Sequence, residues 1–189
     1  FKTIYSWIHR GFLAVTDKVL RRKGKKPGTQ EKRGRFNVKK TIKDRPQEVE
    51  NRETFGHWEL DTMVSSRGQS KGCLATFVER KTRFYIAIKM DDRSKDSMFL
   101  AISSLYNTLT SKLLKTFTVD RGKEFACFEQ VETEFGIPMY FADAYAAWQR
   151  GSNENSNGLL REFFPKKTDL AKVTLDKLTE ALVLINNRP

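Results

Sequence analysis

Three carboxylates stand where hydrophobic burial alone would not choose them. Asp61 lies in Trp58-Glu59-Leu60-Asp61-Thr62, a run that reads as a half-buried strand, and a carboxylate there is costly to desolvate without a partner. Asp120 follows a β-prone stretch and precedes Arg121-Gly122-Lys123-Glu124-Phe125, a strand-to-turn-to-helix passage from which a side chain projects beyond a sheet edge. Glu154 is the one acid in the stretch from Ala147 to Arg161, among amides, small residues, Arg150 and Arg161. From Gln149 onward this stretch reads as a helix, with Glu154, Asn157, Gly158 and Arg161 on its polar face and Leu159, Leu160, Phe163 and Phe164 on its buried side. Gly151 and Gly158 each cost a helix roughly 1 kcal/mol relative to Ala, which fits a need for close backbone approach. A phosphate backbone or a tight packing contact would both supply that neighbour. Taken singly, the acids have plain structural roles: capping a turn, ending a strand, facing water from a helix. Taken together they are less easily explained that way, and they are the residues that can carry chemistry.

The elements that must position them can be read from periodicity. His57 to Val64, Cys73 to Glu79 and Arg83 to Met90 are apolar-rich runs joined by Arg67-Gly68-Gln69-Ser70-Lys71-Gly72 and by Arg80-Lys81-Thr82, which suits an antiparallel meander. Ser94 to Thr110 reads as a helix capped by Ser94, Leu113 to Val119 as a strand, Phe125 to Phe135 as a helix closed by Gly136, and Ile137 to Phe141 as a strand. A last amphipathic helix spans Leu175 to Asn186, and Pro46 is placed to open one helical turn. Strands that then alternate with helices predict an α/β domain, a mixed sheet covered by helices. The residues from 51 onward form this expected domain.

Charge separates the rest of the chain from it. Of 189 residues, the first fifty hold fifteen Lys or Arg against five Asp or Glu, and the remainder twenty against eighteen, within a total of +12. Phe1 to Phe12 has helical spacing, and the composition then turns to Arg21-Arg22-Lys23-Gly24-Lys25-Lys26-Pro27-Gly28, too charged and turn-rich to fold alone. Residues 1–50 are therefore expected to be a basic leader, a helix left from an upstream domain plus a linker, whose Arg21, Arg22, Lys23, Lys25 and Lys26 contact phosphate without reading sequence. A solubility tail is the alternative. Cys73 and Cys127 lack zinc spacing and are expected to be buried free thiols. No apolar run reaches membrane-spanning length and no signal-peptide pattern is present, which predicts a soluble, intracellular protein without a membrane partner.

At Gly56-His57-Trp58-Glu59-Leu60-Asp61-Thr62, Val78-Glu79-Arg80-Lys81-Thr82-Arg83-Phe84, Asp120-Arg121-Gly122-Lys123-Glu124-Phe125-Ala126 and Trp148-Gln149-Arg150-Gly151-Ser152-Asn153-Glu154-Asn155, the chain resembles the retroviral-integrase-like DDE transposases. The likeness is to the IS-thirty-type transposases of bacterial insertion sequences, and it runs from about Ile42 to Pro189. Thirty-three residues separate Asp120 from Glu154, a spacing typical of that family. The resemblance implies a ribonuclease-H-like fold, a five-stranded mixed sheet flanked by helices, in which Asp61, Asp120 and Glu154 meet. It implies that these three are both the catalytic residues and the ligands of two Mg²⁺ or Mn²⁺ ions, with Asp61 shared between the ions. The reaction implied is cleavage of DNA at element ends and transfer of the 3′-hydroxyl into target DNA, by a protein that assembles as a homo-oligomer on DNA in a prokaryotic cytoplasm, at the nucleoid.

Lys123, Gln149, Arg150, Asn153, Asn155 and Arg161 are the expected DNA contacts of the core, and Glu59 and Glu124 its acidic neighbours that could be mistaken for ligands. Glu59 shares the strand face of Asp61 and is expected to form a salt bridge beside the site. Arg121 stands where the family usually has asparagine; a cation there either clamps phosphate or competes with a metal. Two other readings are a DNA-binding regulator that has lost the chemistry and a nuclease of the same fold that cuts but never joins.

Overall fold

A computed structural model of the chain describes residues 2–16, 38–66, 70–144 and 146–188. It divides into two units, Phe1–Lys32 and Arg33–Pro189. In the first, helix α1 (Lys2–His9) forms as its periodicity predicts, with Ile4, Tyr5 and Trp7 exposed. The basic arm's Arg21, Arg22, Lys23, Lys25 and Lys26 lie outside the described residues.

The second unit begins earlier than the expected boundary at residue 51. Thr41 bridges to Phe141, Val49 is fully buried, and Arg45 donates to Thr118 Oγ1 at 3.1 Å, so residues 41–50 belong to the core rather than to a leader. After α2 (Gln47–Asn51) come β1 (His57–Val64), β2 (Cys73–Glu79), β3 (Tyr85–Met90), α3 (Lys95–Thr108), β4 (Thr116–Val119), α4 (Phe128–Phe135), β5 (Met139–Phe141), α5 (Gly151–Phe163) and α6 (Leu175–Asn186). The five strands form one sheet in the order β3-β2-β1-β4-β5. The meander β1-β2-β3 is antiparallel, whereas β1-β4 and β4-β5 are parallel, so the mixed five-stranded sheet expected from the sequence is present.

Period-two alternation sends each strand's side chains to two cores. From β1 and β2, Trp58, Leu60, Cys73, Ala75 and Phe77 pack with Met98, Ala101, Ile102 and Leu105 of α3 and Phe128 and Val131 of α4. Met63, Leu74 and Val78 point the other way, onto Leu160 of α5 and Leu178, Ala181 and Ile185 of α6. β2 is therefore buried along its whole length. Ser94 caps α3, its hydroxyl accepting from Ser97 N at 3.1 Å, and Gly136 closes α4 in the left-handed conformation, φ 69°. Both cysteines are buried free thiols, and burial pushes their acidities to about 11 for Cys73 and about 12 for Cys127, which leaves them unreactive at neutral pH. Among the described residues, no helix is long and apolar enough to cross a membrane.

Several boundaries shift, each by a few residues. Lys123–Cys127 and Ala147–Arg150 are 3₁₀ turns that precede α4 and α5, and another, Ser111–Leu113, precedes β4. Pro46 is the residue before the first turn of α2 rather than its first helical residue.

At the start of β1, His57 is buried between two hydroxyls, Thr116 Oγ1 on Nδ1 and Thr54 Oγ1 on Nε2, each at 2.9 Å. Burial lowers its pKa below the usual 6.5, although Glu48 pulls the other way. The unfolded chain thus takes up a proton that the folded one resists, so His57's contribution is fully present above pH 6.5 and is lost as the pH falls below it. His57→Gln should flatten stability against pH in that window, by at most about 1.4 kcal/mol per pH unit, measured by urea denaturation from pH 7.5 to 5.

Candidate active site

The parallel pairing of β1 and β4 places two carboxylates side by side. Glu59 pairs with Thr118 in that ladder; Asp61 lies two residues further along β1, and Asp120 two residues further along the chain, just past the end of β4. Each acid is oriented by a backbone amide: Asp61 Oδ1 accepts from Thr62 N and Asp120 Oδ1 from Gly122 N, both at 2.8 Å. One cation lies between them. Arg150 places Nη1 3.5 Å from Asp61 Oδ1 and Nη2 3.2 Å from Asp120 Oδ2, and Nη1 also donates to Leu60 O at 3.3 Å. Burial raises the pKa of Asp61; the Arg150 guanidinium opposes that rise and the neighbouring charge of Asp120 adds to it. Two hard oxygen donors converging on one positive charge are the chemistry that a divalent cation requires.

Helix α5 is fastened over this pair by polar contacts. Its first turn lacks a side-chain cap of its own, and the third amide is satisfied from β1 instead: Glu59 Oε2 accepts from Asn153 N at 3.0 Å. Asn153 Nδ2 donates to Glu59 O at 3.0 Å, and Asn153 Oδ1 accepts from Thr76 Oγ1 at 3.2 Å. The other oxygen of Glu59 pairs with Arg80, which also donates through Nε to Val49 O at 3.0 Å. One turn on, Asn157 donates to Asp61 Oδ2 at 3.3 Å and accepts from the Tyr85 hydroxyl at 2.7 Å. Glu154 lies three residues before Asn157, on the helical face that reaches Asp61, and is exposed. The structure brings Asp61 and Asp120 together. Among the described residues it gathers no three acidic, histidine or cysteine side chains closely enough to hold a metal.

Glu124 forms a separate buried knot. It accepts from Thr62 Oγ1 at 3.0 Å and from Arg93 Nε at 2.7 Å, and a side chain at Gly122 would run into its carboxylate at 2.5 Å. It braces the Asp120 turn against β1.

The polar face expected to meet DNA is rearranged. Asn153 is fully buried and makes three hydrogen bonds within the fold, so it is no DNA contact. Arg150 is engaged by the aspartates, Gln149 by Asp143 at 2.8 and 3.1 Å, and Arg161 by the carbonyls of Val64, Phe164 and Pro165. Lys123 and Asn155 are exposed. The buried side of α5 is wider than expected: Leu160 and Phe164 are buried and Leu159 packs beside them, but Ser152, Asn153 and Ser156 are buried too, while Phe163 is 42% exposed. The helix crosses the sheet over Glu59 and Thr76, where small polar residues fit and leucines would leave those groups unsatisfied. Gly151 and Gly158 face open space, so neither marks a packing contact within the chain. Arg121 is partly buried, with its Nε unpartnered among the described residues.

If Arg150 neutralises the aspartates, Arg150→Gln should lower the melting temperature in the absence of metal, by a loss of ~1–2 kcal/mol, and should tighten Mn²⁺ binding severalfold. Calorimetric titration and thermal melting measure both. Unchanged values would show the guanidinium to be incidental.

Comparisons with known proteins give a consistent likeness. The family model described as integrase core domain matches residues 51–147, which include Asp61 and Asp120 but stop short of Glu154. The chain is 34% identical over 190 residues to the probable transposase for insertion-like sequence element IS1161 of Streptococcus salivarius, covering 100% of this chain and 54% of that protein. It is 35% identical over 196 residues to transposase InsI for insertion sequence element IS30A of Escherichia coli K12, covering 100% of this chain and 50% of that protein. The chain thus spans about half the length of these relatives. Among solved structures, the catalytic core domain of BIV integrase matches with a TM-score of 0.57 at 18% identity, over 72% of this chain and 86% of that one. The HTLV-2 integrase catalytic core domain in complex with magnesium matches with a TM-score of 0.54 at 17% identity, over 71% and 88%. These two share the fold.

Proposed function

Since the chain belongs to the integrase core domain family, we propose that it is the catalytic domain of an IS30-type DNA transposase, cutting DNA at element ends and joining the new 3′-hydroxyl to target DNA. The observation that carries this reading is the convergence of Asp61, in β1, and Asp120, just past the end of the parallel neighbour β4, on one cation. Asp61, Asp120 and, from the overlying face of α5, Glu154 are the residues that would hold divalent metal, Mg²⁺ or Mn²⁺. Such ions, when bound, supply a deprotonated attacking oxygen and stabilise the leaving 3′-oxygen. The chain's own part is positional. β1 and β4 fix the two aspartates, Glu59 and Asn153 hold α5 in register with them, and the Glu124–Arg93 pair braces the turn after Asp120. Arg150 offsets the repulsion between the carboxylates, and its guanidinium, once displaced from between them by a divalent ion, is free to pair with the scissile phosphate. No covalent enzyme intermediate is required.

DNA as the partner is supported by the net charge of +12 and by the names of the relatives, and the assembly of several copies on DNA by the match to a viral intasome, with a TM-score of 0.58 at 18% identity. The basic segment before the core supplies non-specific affinity in this reading. Deleting residues 1–32 should weaken binding to a random duplex and flatten its dependence on salt, since each phosphate contact releases counterion. An unchanged slope would remove that role. The activity itself is tested by incubating the chain with a labelled element-end oligonucleotide, plasmid target and Mg²⁺. Joined product supports the transposase; cleavage without joining points to a nuclease, and binding without either to a regulator.

A further inference from the structure

Behind the aspartate pair lies a second feature, a pocket of about 450 Å³ between the α2 region and the start of α5, lined in part by Lys43, Arg45, Arg52, Trp148, Gln149 and Gly151. Its inner wall is electrostatically settled: Arg45 pairs with Glu50, and Arg80 with Glu59 and Glu50. Its mouth is not. Lys43 and Arg52 have no carboxylate within ion-pair distance among the described residues, and Arg52 is held in the left-handed conformation, φ 58°, uncommon for a residue with a side chain. Burial lowers the pKa of Arg52, the nearby charges of Arg83 and Arg80 lower it further, and Glu59 and Glu50 offset this only in part, so an anion bound at the mouth would meet net positive charge. At the rim, Trp148 is 76% exposed, more than any other large apolar side chain among the described residues. An indole left in water beside unpaired cations fits a ligand with a flat π-face and a phosphate.

We propose that this pocket receives one unpaired nucleotide of the DNA being processed, its base stacked on Trp148 and its phosphate against Arg52 and Lys43. The proposal rests on the transposase reading for its choice of DNA as the partner. The position suits it: Trp148 is two residues from Arg150 and Glu59 two residues from Asp61, so a strand leaving the aspartates reaches the pocket within a nucleotide or two. The volume falls within the range of small-ligand pockets, large enough for one nucleotide and too small for a duplex. Neither Asp61 nor Asp120 lines it, so it is a binding site distinct from the acids.

The test uses the full chain carrying Trp7→Phe, so that among the three tryptophans Trp148 reports and buried Trp58 adds a constant background. An oligo(dT) strand of about twelve nucleotides and an abasic strand of equal length are titrated at fixed salt. The thymine strand should quench the fluorescence and bind about tenfold more tightly than the abasic one. Trp148→Ala should erase that preference and Trp148→Phe keep most of it, while Arg52→Gln should weaken both strands alike and reduce the salt slope by about one contact. Equal binding of the two strands, or quenching unchanged by DNA, overturns the proposal. So would sedimentation showing that Trp148→Ala dissociates an oligomer, because a second copy would then cover the indole. Joining activity measured in parallel separates the two claims: joining with no preference for bases sinks only the pocket, and a preference with no joining sinks only the transposase.

Discussion

Asp120→Asn is expected to abolish cleavage and joining, a loss of at least ~10³-fold, while changing affinity for DNA by less than about twofold. The carboxylate shares one cation with Asp61, and an amide in its place keeps the shape while removing the charge that a divalent ion needs. Affinity should survive because phosphate contacts come mainly from basic side chains elsewhere on the chain. Glu154→Gln should behave in the same way, although Glu154 is exposed and forms no metal-sized cluster with the aspartates among the described residues. The two substitutions therefore test different things: the first the pair that is already assembled, the second whether α5 delivers its acid on metal binding. Single-turnover cleavage and a filter-binding isotherm on the same preparations measure both quantities. Substantial joining by either variant would remove that residue from the catalytic set.

The largest effect on stability is expected at Glu59. This side chain is fully buried, carries the pairing of Arg80, and satisfies the third amide of α5. Glu59→Ala leaves Arg80 without its buried carboxylate and Asn153 N without an acceptor, a combined loss of ~3–5 kcal/mol. For a domain with an ordinary stability of roughly 5–15 kcal/mol that is enough to leave it marginally folded. Glu59→Gln, which keeps an acceptor for Asn153, should lose less. The urea midpoints of the two variants against the parent give the order, and equal midpoints for all three would show that α5 is held by its apolar end at Leu160 instead.

The strands and the α6 boundaries are legible in the sequence because each follows from local pattern, whereas the meeting of Asp61 with Asp120, 59 residues apart, follows only from the family resemblance. The apolar run of Cys73–Glu79 and the helical period of Leu175–Asn186 depend only on which residues are apolar. The first turns of α5 are not legible for the opposite reason. Leu160 and Phe164 are buried as their pattern predicts, yet ahead of them the sheet beneath the helix offers Glu59 and Thr76, and it is Asn153 that hydrogen-bonds to both, beside two buried serines. A polar floor cannot be inferred from the helix that covers it. The engagement of Arg150 is likewise not legible: thirty residues from Asp120 and eighty-nine from Asp61, it gives no sign in the sequence that the fold places it between the two. The one usable hint was that Glu59 and Asp61 share a strand face, which already required cations nearby. Residues 41–50 were assigned to the leader on charge, but Val49 and Arg45 are buried within the core, so net charge alone misplaced that boundary.

The claim that Asp61, Asp120 and Glu154 form a metal-dependent centre is tested most directly by soaking crystals of the chain in Mn²⁺ and locating the metal by anomalous scattering. The account predicts density in contact with Asp61 and Asp120, with Glu154 turned toward it and the Arg150 guanidinium withdrawn from between the aspartates. Arg150 still bridging the two carboxylates at saturating Mn²⁺, with no anomalous peak beside them, would contradict it.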